Sequence, residues 1–404
     1  MAREALRLMR WCVLAASGWL VCAAALAQQD FAPSTQPAQT SPSTESSLQP
    51  SAITMHYKDA PLQGVLEDFA SQADADLGVQ RRPIVDYAKS RRISIDLDRA
   101  DFWTALRTVS DRAGLRPQPY ASDARMVFQV NANAMFGGFD MFSDAAKVSG
   151  GFLVIPWMCR LNRSVDYEHD TDNQSDLWLE LIVMAEPKLR VINPSNQEWL
   201  QQCVDEHGQS LLGGRRQSHF FNNGRGWWWT MQANLKEVPN MGQRIASLRG
   251  ELKFNVQSKS ETIQIDDLSK MQDLTKTVGD HTIVFKQLVN QAGQWKLQLS
   301  ITNVNLRPPV MRQTNNLFST LQILDAQNQP YTQVGISSIS NHGQETGVTI
   351  NFVGIISNAP MMRAHAVEEQ AVGPPKTLRW EIPTETRIVS APFELTDLQL
   401  PTEP

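Results

Sequence analysis

Charge is scarce in this sequence of 404 residues. Only 20% of positions are charged, and 37 Lys+Arg stand against 42 Asp+Glu. Without a basic excess there is no electrostatic ground for expecting nucleic acid as a partner. Cysteine is scarcer still: there are four, none spaced as CxxC, which disfavours zinc-ribbon and thioredoxin-type chemistry. No Gly-x-Ser-x-Gly elbow, His-Glu-x-x-His, P-loop or dinucleotide fingerprint occurs, and the seven His are scattered. The expectation is therefore a non-enzyme with no catalytic residue, no cofactor and no metal site. Gly and Pro, at 22 each, are ordinary and exclude a collagen-like chain. What is present is apolar: 42% hydrophobic residues suffice for packed cores, and the length predicts two to four domains at roughly 100–200 residues each.

The N-terminus reads as a targeting signal. Arg3, Arg7 and Arg10 precede an apolar, Ala-rich stretch from Trp11 to Leu26, and Ala25-Leu26-Ala27 forms a small-x-small cleavage site. A signal peptide over 1–27 predicts an exported protein, periplasmic or extracellular. No later segment is long and apolar enough to span a bilayer, so the mature chain has no expected transmembrane segment. Residues 28–51 are rich in Ser, Thr, Pro and Gln and read as a disordered tether. Cys12 and Cys22 leave with the signal. Cys159 and Cys203 remain as a candidate disulfide or as two buried free thiols.

Residues 52–131 repeat one pattern twice. Ile53-Thr54-Met55-His56-Tyr57 alternates as a strand, then Asp59 and Pro61 are placed to start a helix with Leu62, Val65, Leu66 and Phe69 on one face. Ile93–Leu97 alternates again, and Asp101 can cap a helix carrying Phe102, Ala105, Leu106 and Val109. Gly114 ends it, and Met126–Val130 is a closing strand. The phrases YKDAPLQGVLEDFASQA and ISIDLDRADFWTALRTVSDRAGL resemble the short N-terminal domain of secretins and TonB-dependent receptors. The resemblance implies a non-catalytic periplasmic module that docks to other proteins or oligomerises. Nothing downstream resembles a secretin or receptor barrel, so no channel function is carried over. Residues 132–151 read as a linker, unless Phe136, Phe139 and Phe142 dock on a neighbouring domain.

The remainder is an internal repeat. Leu179 aligns with Leu297 at an offset of 118, Asp205 with Asp325 at 120, Trp227-Trp228-Trp229 with Val348-Thr349-Ile350 at 121, and Ile265 with Leu395 at 130. Short alternating strands separated by turn residues predict antiparallel β-sandwiches over 152–273 and 274–404. The expected fold class is thus multidomain and mainly β: a small α/β docking domain followed by two tandem β-sandwich domains.

Candidate sites are few. Asp205 and His207 fall in a hairpin turn, and the acidic stretch Asp166, Glu168, Asp170, Asp172, Asp176 lacks the Gly and terminal Glu of an EF-hand, so it reads as a solvated hairpin tip. The sharpest hint is aromatic. Strand alternation sends Trp227 and Trp229 to the core and leaves Trp228, with Phe220 and Phe221, as a candidate binding surface at an exposed or interface position. These readings predict an adaptor that binds envelope or secretion-apparatus proteins. The alternative is a carbohydrate-binding envelope protein using the aromatics of the first sandwich. Oligomeric state is left open.

Overall fold

The computed structural model describes residues 39–41, 48–75, 77, 82–118, 126–130, 141–164, 174–195, 199–213, 219–221, 227–302, 317–318, 320–342, 345–356 and 370–401. The proposed signal, most of the tether, Phe136 and Phe139 lie outside them. The fold is mainly β, with antiparallel pairing throughout its described sheets.

A short strand, β1 (Gln39–Ser41), pairs with residues 260–262 far along the chain. The α/β unit follows as β2 (Ala52–Pro61), α1 (Leu62–Gln72), α2 (Arg82–Lys89), β3 (Arg92–Asp101), α3 (Phe102–Ala113), β4 (Leu115–Gln118) and β5 (Val127–Val130). β2 pairs with β3, and β4 with β5. The duplicated pattern is carried down to single bonds. Asp59 and Arg99 both adopt positive φ, at 48° and 49°, just ahead of their helices. The Asp59 N–H donates to Ser94 Oγ (2.9 Å), and the Arg99 N–H donates to Thr54 Oγ1 (3.1 Å). Each strand thereby holds the other's kink.

The two helix starts differ. Asp101 accepts from the Thr104 N–H at 2.9 Å and caps α3, and Gly114 ends it in the left-handed conformation. Asp59 does not cap α1. The position equivalent to Asp101 is Pro61, which has no acceptor, so the Leu62 N–H donates to the Arg91 carbonyl instead (2.9 Å). Asp59 lies two residues too early and pairs with Arg92 at 3.0 Å.

Two copies of a longer pattern come next. The first comprises β6 (Lys147–Ser149), β7 (Phe152–Ser164), β8 (Gln174–Ala185), β9 (Val191–Pro194), β10 (Leu200–Asp205), β11 (His219–Phe221), β12 (Trp228–Leu235) and β13 (Arg244–Ile265). The second comprises β14 (Leu274–Val278), β15 (His281–Gln291), β16 (Gln294–Thr302), β17 (Leu321–Asp325), β18 (Thr332–His342), β19 (Glu345–Val353), the small pair β20 (Ile355–Ile356) and β21 (Gln370–Ala371), and β22 (Pro375–Gln399). One five-stranded sheet runs β11-β12-β8-β7-β6. Its counterpart runs β18-β19-β16-β15-β14, in the same order. A third sheet is common to both copies: in it β13 and β22 pair side by side, with β10 on the outer edge of β13 and β17 on the outer edge of β22.

Local irregularities pin the equivalence of the copies. The turn glycines Gly150 and Gly279 both have positive φ, 58° and 51°. A bulge interrupts β7 between Pro156 and Met158 and β15 between Phe285 and Gln287. Across those bulges lie Glu180 and Gln298, so the matching of Leu179 with Leu297 stands. The same rows continue to Gln232 and to Thr349. Trp229 therefore matches Thr346 and Trp228 matches Glu345, and the sequence alignment of this strand is displaced by four residues. A slip by an even number leaves every side chain on its own face, which is why hydrophobic alternation could not expose it.

The long strands tie the copies together. β13 and β22 pair from Arg244–Gln399 to Ile265–Leu378. The first part of β13 (Ile245, Leu248, Leu252, Phe254) and the last part of β22 (Ala391, Phe393, Leu395) share a core with Phe152, Leu179, Leu181, Val183 and Trp229. The far end of β13 (Ile263, Ile265) and the start of β22 (Leu378, Trp380, Ile382) share another with Phe285, Leu297, Leu299, Ile301 and Ile350. The cores do not divide at residue 273, because each copy lends the end of its last strand to the other.

Candidate binding surface

The five-stranded sheet of the first copy has two apolar faces. Phe152, Val154, Leu179, Leu181 and Val183 face the shared sheet, while Leu153, Ile155, Ile182 and Met184 face the other way. The outward set, with Trp227 and Trp228, forms one core with Phe69, Phe102, Trp103, Leu106 and Val109 of the α/β unit. Burying such side chains stabilises by about 1.5–3 kcal/mol each, an upper estimate because unfolded chains are partly collapsed. Phe142 joins this core and docks, and residues 147–149, expected in a linker, form the edge strand β6.

Polar bonds frame the same contact. The Trp103 indole N–H donates to the Gly151 carbonyl at 3.2 Å. Glu186, just past β8 and only 1% exposed, accepts from the Ser51 N–H (3.0 Å) and the Ser51 hydroxyl (2.8 Å), with Lys188 at 3.8 Å. Burial pushes the Glu186 carboxyl up, and those hydrogen bonds and the ammonium only partly oppose it. Nothing in the pattern around Glu186 marked it out, because its partner is 135 residues away.

Trp228 therefore occupies an internal interface and is 1% exposed. It is not on an outer surface where a separate ligand could stack on it. Trp228 and Trp229 fall in the outward and inward cores as alternation requires, but Trp227, just before the strand, joins Trp228. Phe220 and Phe221 lie on β11, opposite Met231 and Thr230, and their side chains are outside what the structure describes. Cys159 and Cys203 are free thiols that burial pushes up to about 11 and about 12. Both pack in or against the first inner core, so they behave as small apolar residues.

Asp205 and His207 do form a turn, and the turn is duplicated. Asp205 accepts from the N–H groups of His207 (3.0 Å), Gln209 (2.7 Å) and Gly242 (2.9 Å). Asp325 accepts from Gln327 (2.8 Å), Gln329 (2.8 Å) and Gly373 (3.0 Å). For both acids burial pushes upward, but the backbone donors together outweigh it and hold the carboxyls below the ordinary range. Each aspartate thus pins its hairpin to the segment leading into the long strand, which is a structural task. Of the acidic stretch, Asp176 is exposed on β8, and Asp166, Glu168, Asp170 and Asp172 lie outside the described residues.

Among the described residues, the core shared with the α/β unit takes in only part of the outward face. Beyond Ile155 and Ile182 the register continues into two rows of mixed character, Met158–Glu180–Gln232 and Arg160–Trp178–Asn234. Arg160 is exposed, and the other five are partly exposed. Trp157, at the β7 bulge, is 41% exposed. Among the described residues no helix is long and apolar enough to cross a membrane. Compared with protein-family models, with curated proteins and with solved structures, the chain finds no match.

Proposed function

We propose that this chain is an exported, non-enzymatic docking protein of the cell envelope. In this reading the α/β unit, of the kind found in secretins and TonB-dependent receptors, binds envelope or secretion-apparatus proteins. It rides on two β-sandwiches that share their central sheet. The observation that supports it is the apolar core joining the α/β unit to the first five-stranded sheet. A module anchored this way is held in one orientation, while the outer face of its β2–β3 ribbon carries polar groups such as His56, Asp96, Asp59 and Arg92. A fixed, polar, strand-edged surface suits docking to a protein partner by strand addition or charge pairing.

The test is site-specific photocrosslinking in cells, with the probe at His56, Asp98 or Glu67 of the α/β unit and, separately, at Gln298 of the second copy. Discrete crosslinked envelope proteins from the α/β positions, absent from Gln298, support the reading. Crosslinks from neither set, or the same proteins from both, contradict it.

A further inference from the structure

We propose that the outward face of the first five-stranded sheet, beyond the part packed on the α/β unit, is a binding site for an uncharged saccharide, centred on the partly exposed Trp178. This goes beyond protein docking and uses different residues from the aromatic cluster of β11 and β12.

Three observations carry it. First, the register places Trp178 on the central strand of its row, with Arg160 beside it on β7 and Asn234 beside it on β12. Adjacent strands lie about 4.8 Å apart, so Arg160 and Asn234 flank Trp178 in its row, and the Arg160 Nε–H donates along β7 to the Met158 sulfur in the next row. Second, the next row adds Glu180 and Gln232, and the Gln232 amide donates to Asn234 Oδ1 at 3.4 Å. Two amides, one carboxylate and one guanidinium supply donors and acceptors with cancelling formal charge. That inventory matches a ligand dense in hydroxyls and without net charge. An aromatic face meanwhile takes the C–H side of a sugar ring.

Third, the second copy lacks this arrangement at equivalent positions. Trp178 corresponds to Lys296 and Arg160 to Val289, with Asn351 completing that row. At the bulge, the exposed Trp157 corresponds to Lys286. A bulge re-aims a side chain, and the aromatic residue at this bulge is exposed. The duplicated fold needs no tryptophan at either place, since the second copy forms the same rows without one.

An array of defined oligosaccharides, probed with the full chain, tests the assignment. The intact protein should bind at least one uncharged oligosaccharide. Trp178→Ala should weaken that binding about tenfold, the scale of one lost stacking contact. Trp178→Phe should recover most of it, and Lys296→Ala should leave it unchanged. Thermal melting of each variant shows that it is folded. Should Trp178→Ala fail to fold, Asn234→Ala and Gln232→Ala carry the same expectation of weakened binding. A folded intact protein that binds no oligosaccharide overturns the proposal. So does binding that is indifferent to these substitutions.

Discussion

The outer faces of the two five-stranded sheets occupy equivalent places in the repeat and have opposite chemistry. In the first copy one row reads Leu153–Met184–Trp228 and the next Ile155–Ile182–Thr230. In the second copy the same rows read Thr282–Thr302–Glu345 and Val284–Ser300–Gly347. The inner faces, by contrast, are alike: Leu179, Leu181 and Val183 match Leu297, Leu299 and Ile301, and all six are buried. A sheet whose outer face meets water alternates apolar and polar residues, while one covered on both faces reads as a continuous apolar run. The run Leu181-Ile182-Val183-Met184 against the alternation Leu299-Ser300-Ile301-Thr302 at the equivalent positions states that difference in the sequence itself. The strand order is the same in both copies, and the apolar outer face is the one that packs on the α/β unit.

The largest expected effects come from the shared strands. Leu248→Ala in the first inner core and Leu378→Ala in the second should each cost about 2–5 kcal/mol, through lost burial and the cavity left behind. Because β13 and β22 thread both cores, both substitutions should lower one common unfolding transition of the two copies. Calorimetry of the chain resolves this. Two transitions, each moved by only one variant, would show that the ribbon does not couple the copies.

A middle-sized effect concerns acid. Asp205 and Asp325 ionise more readily in the folded chain than in the unfolded one. Their contribution is therefore present above the ordinary carboxylate pKa of about 3.9 and is lost as pH falls through the lowered folded value. Melting temperature should fall on acidification, and Asp205→Asn with Asp325→Asn should flatten that acid limb while lowering the plateau near neutrality. Glu186 acts in the opposite sense. Its raised carboxyl contributes fully below the unfolded pKa and loses that contribution as pH rises through the folded value. A double variant with an unchanged acid limb would remove the aspartates from this role.

The smallest effect is a control on strand register. Gln298→Ala, on the polar face of β16, should stay within about 0.5 kcal/mol, against about 2–5 kcal/mol for its neighbour Leu299→Ala. Urea titration of both variants decides it, and equal costs would invert the assignment of faces.

Much of this was legible beforehand, for reasons that particular residues make plain. Period-two alternation located the strands, Asp101 and Gly114 marked the ends of α3, and the turn aspartates marked the repeat. Four features were not legible. The four-residue displacement in β12 is invisible to alternation, and only the paired bulges in β7 and β15 reveal it. The reciprocal loan of strand ends has no local signature, since Leu395 is an inward-facing residue whichever core it joins. Trp228 could be assigned to the outward face, but what covers that face lies more than a hundred residues earlier in the chain. Glu186 and Ser51 were missed for the same reason of distance.

The most direct test of the comparison is to write the second copy's chemistry onto the first. Ile182→Ser combined with Trp228→Glu gives the outer face the residues found at Ser300 and Glu345, and backbone hydrogen exchange then reports each region separately. The expected result is loss of protection across α1, α3 and the β2–β3 ribbon, with β13, β22 and the second copy's sheet protected as before. Protection of the α/β unit that survives both substitutions would contradict the claim that this face holds it in place.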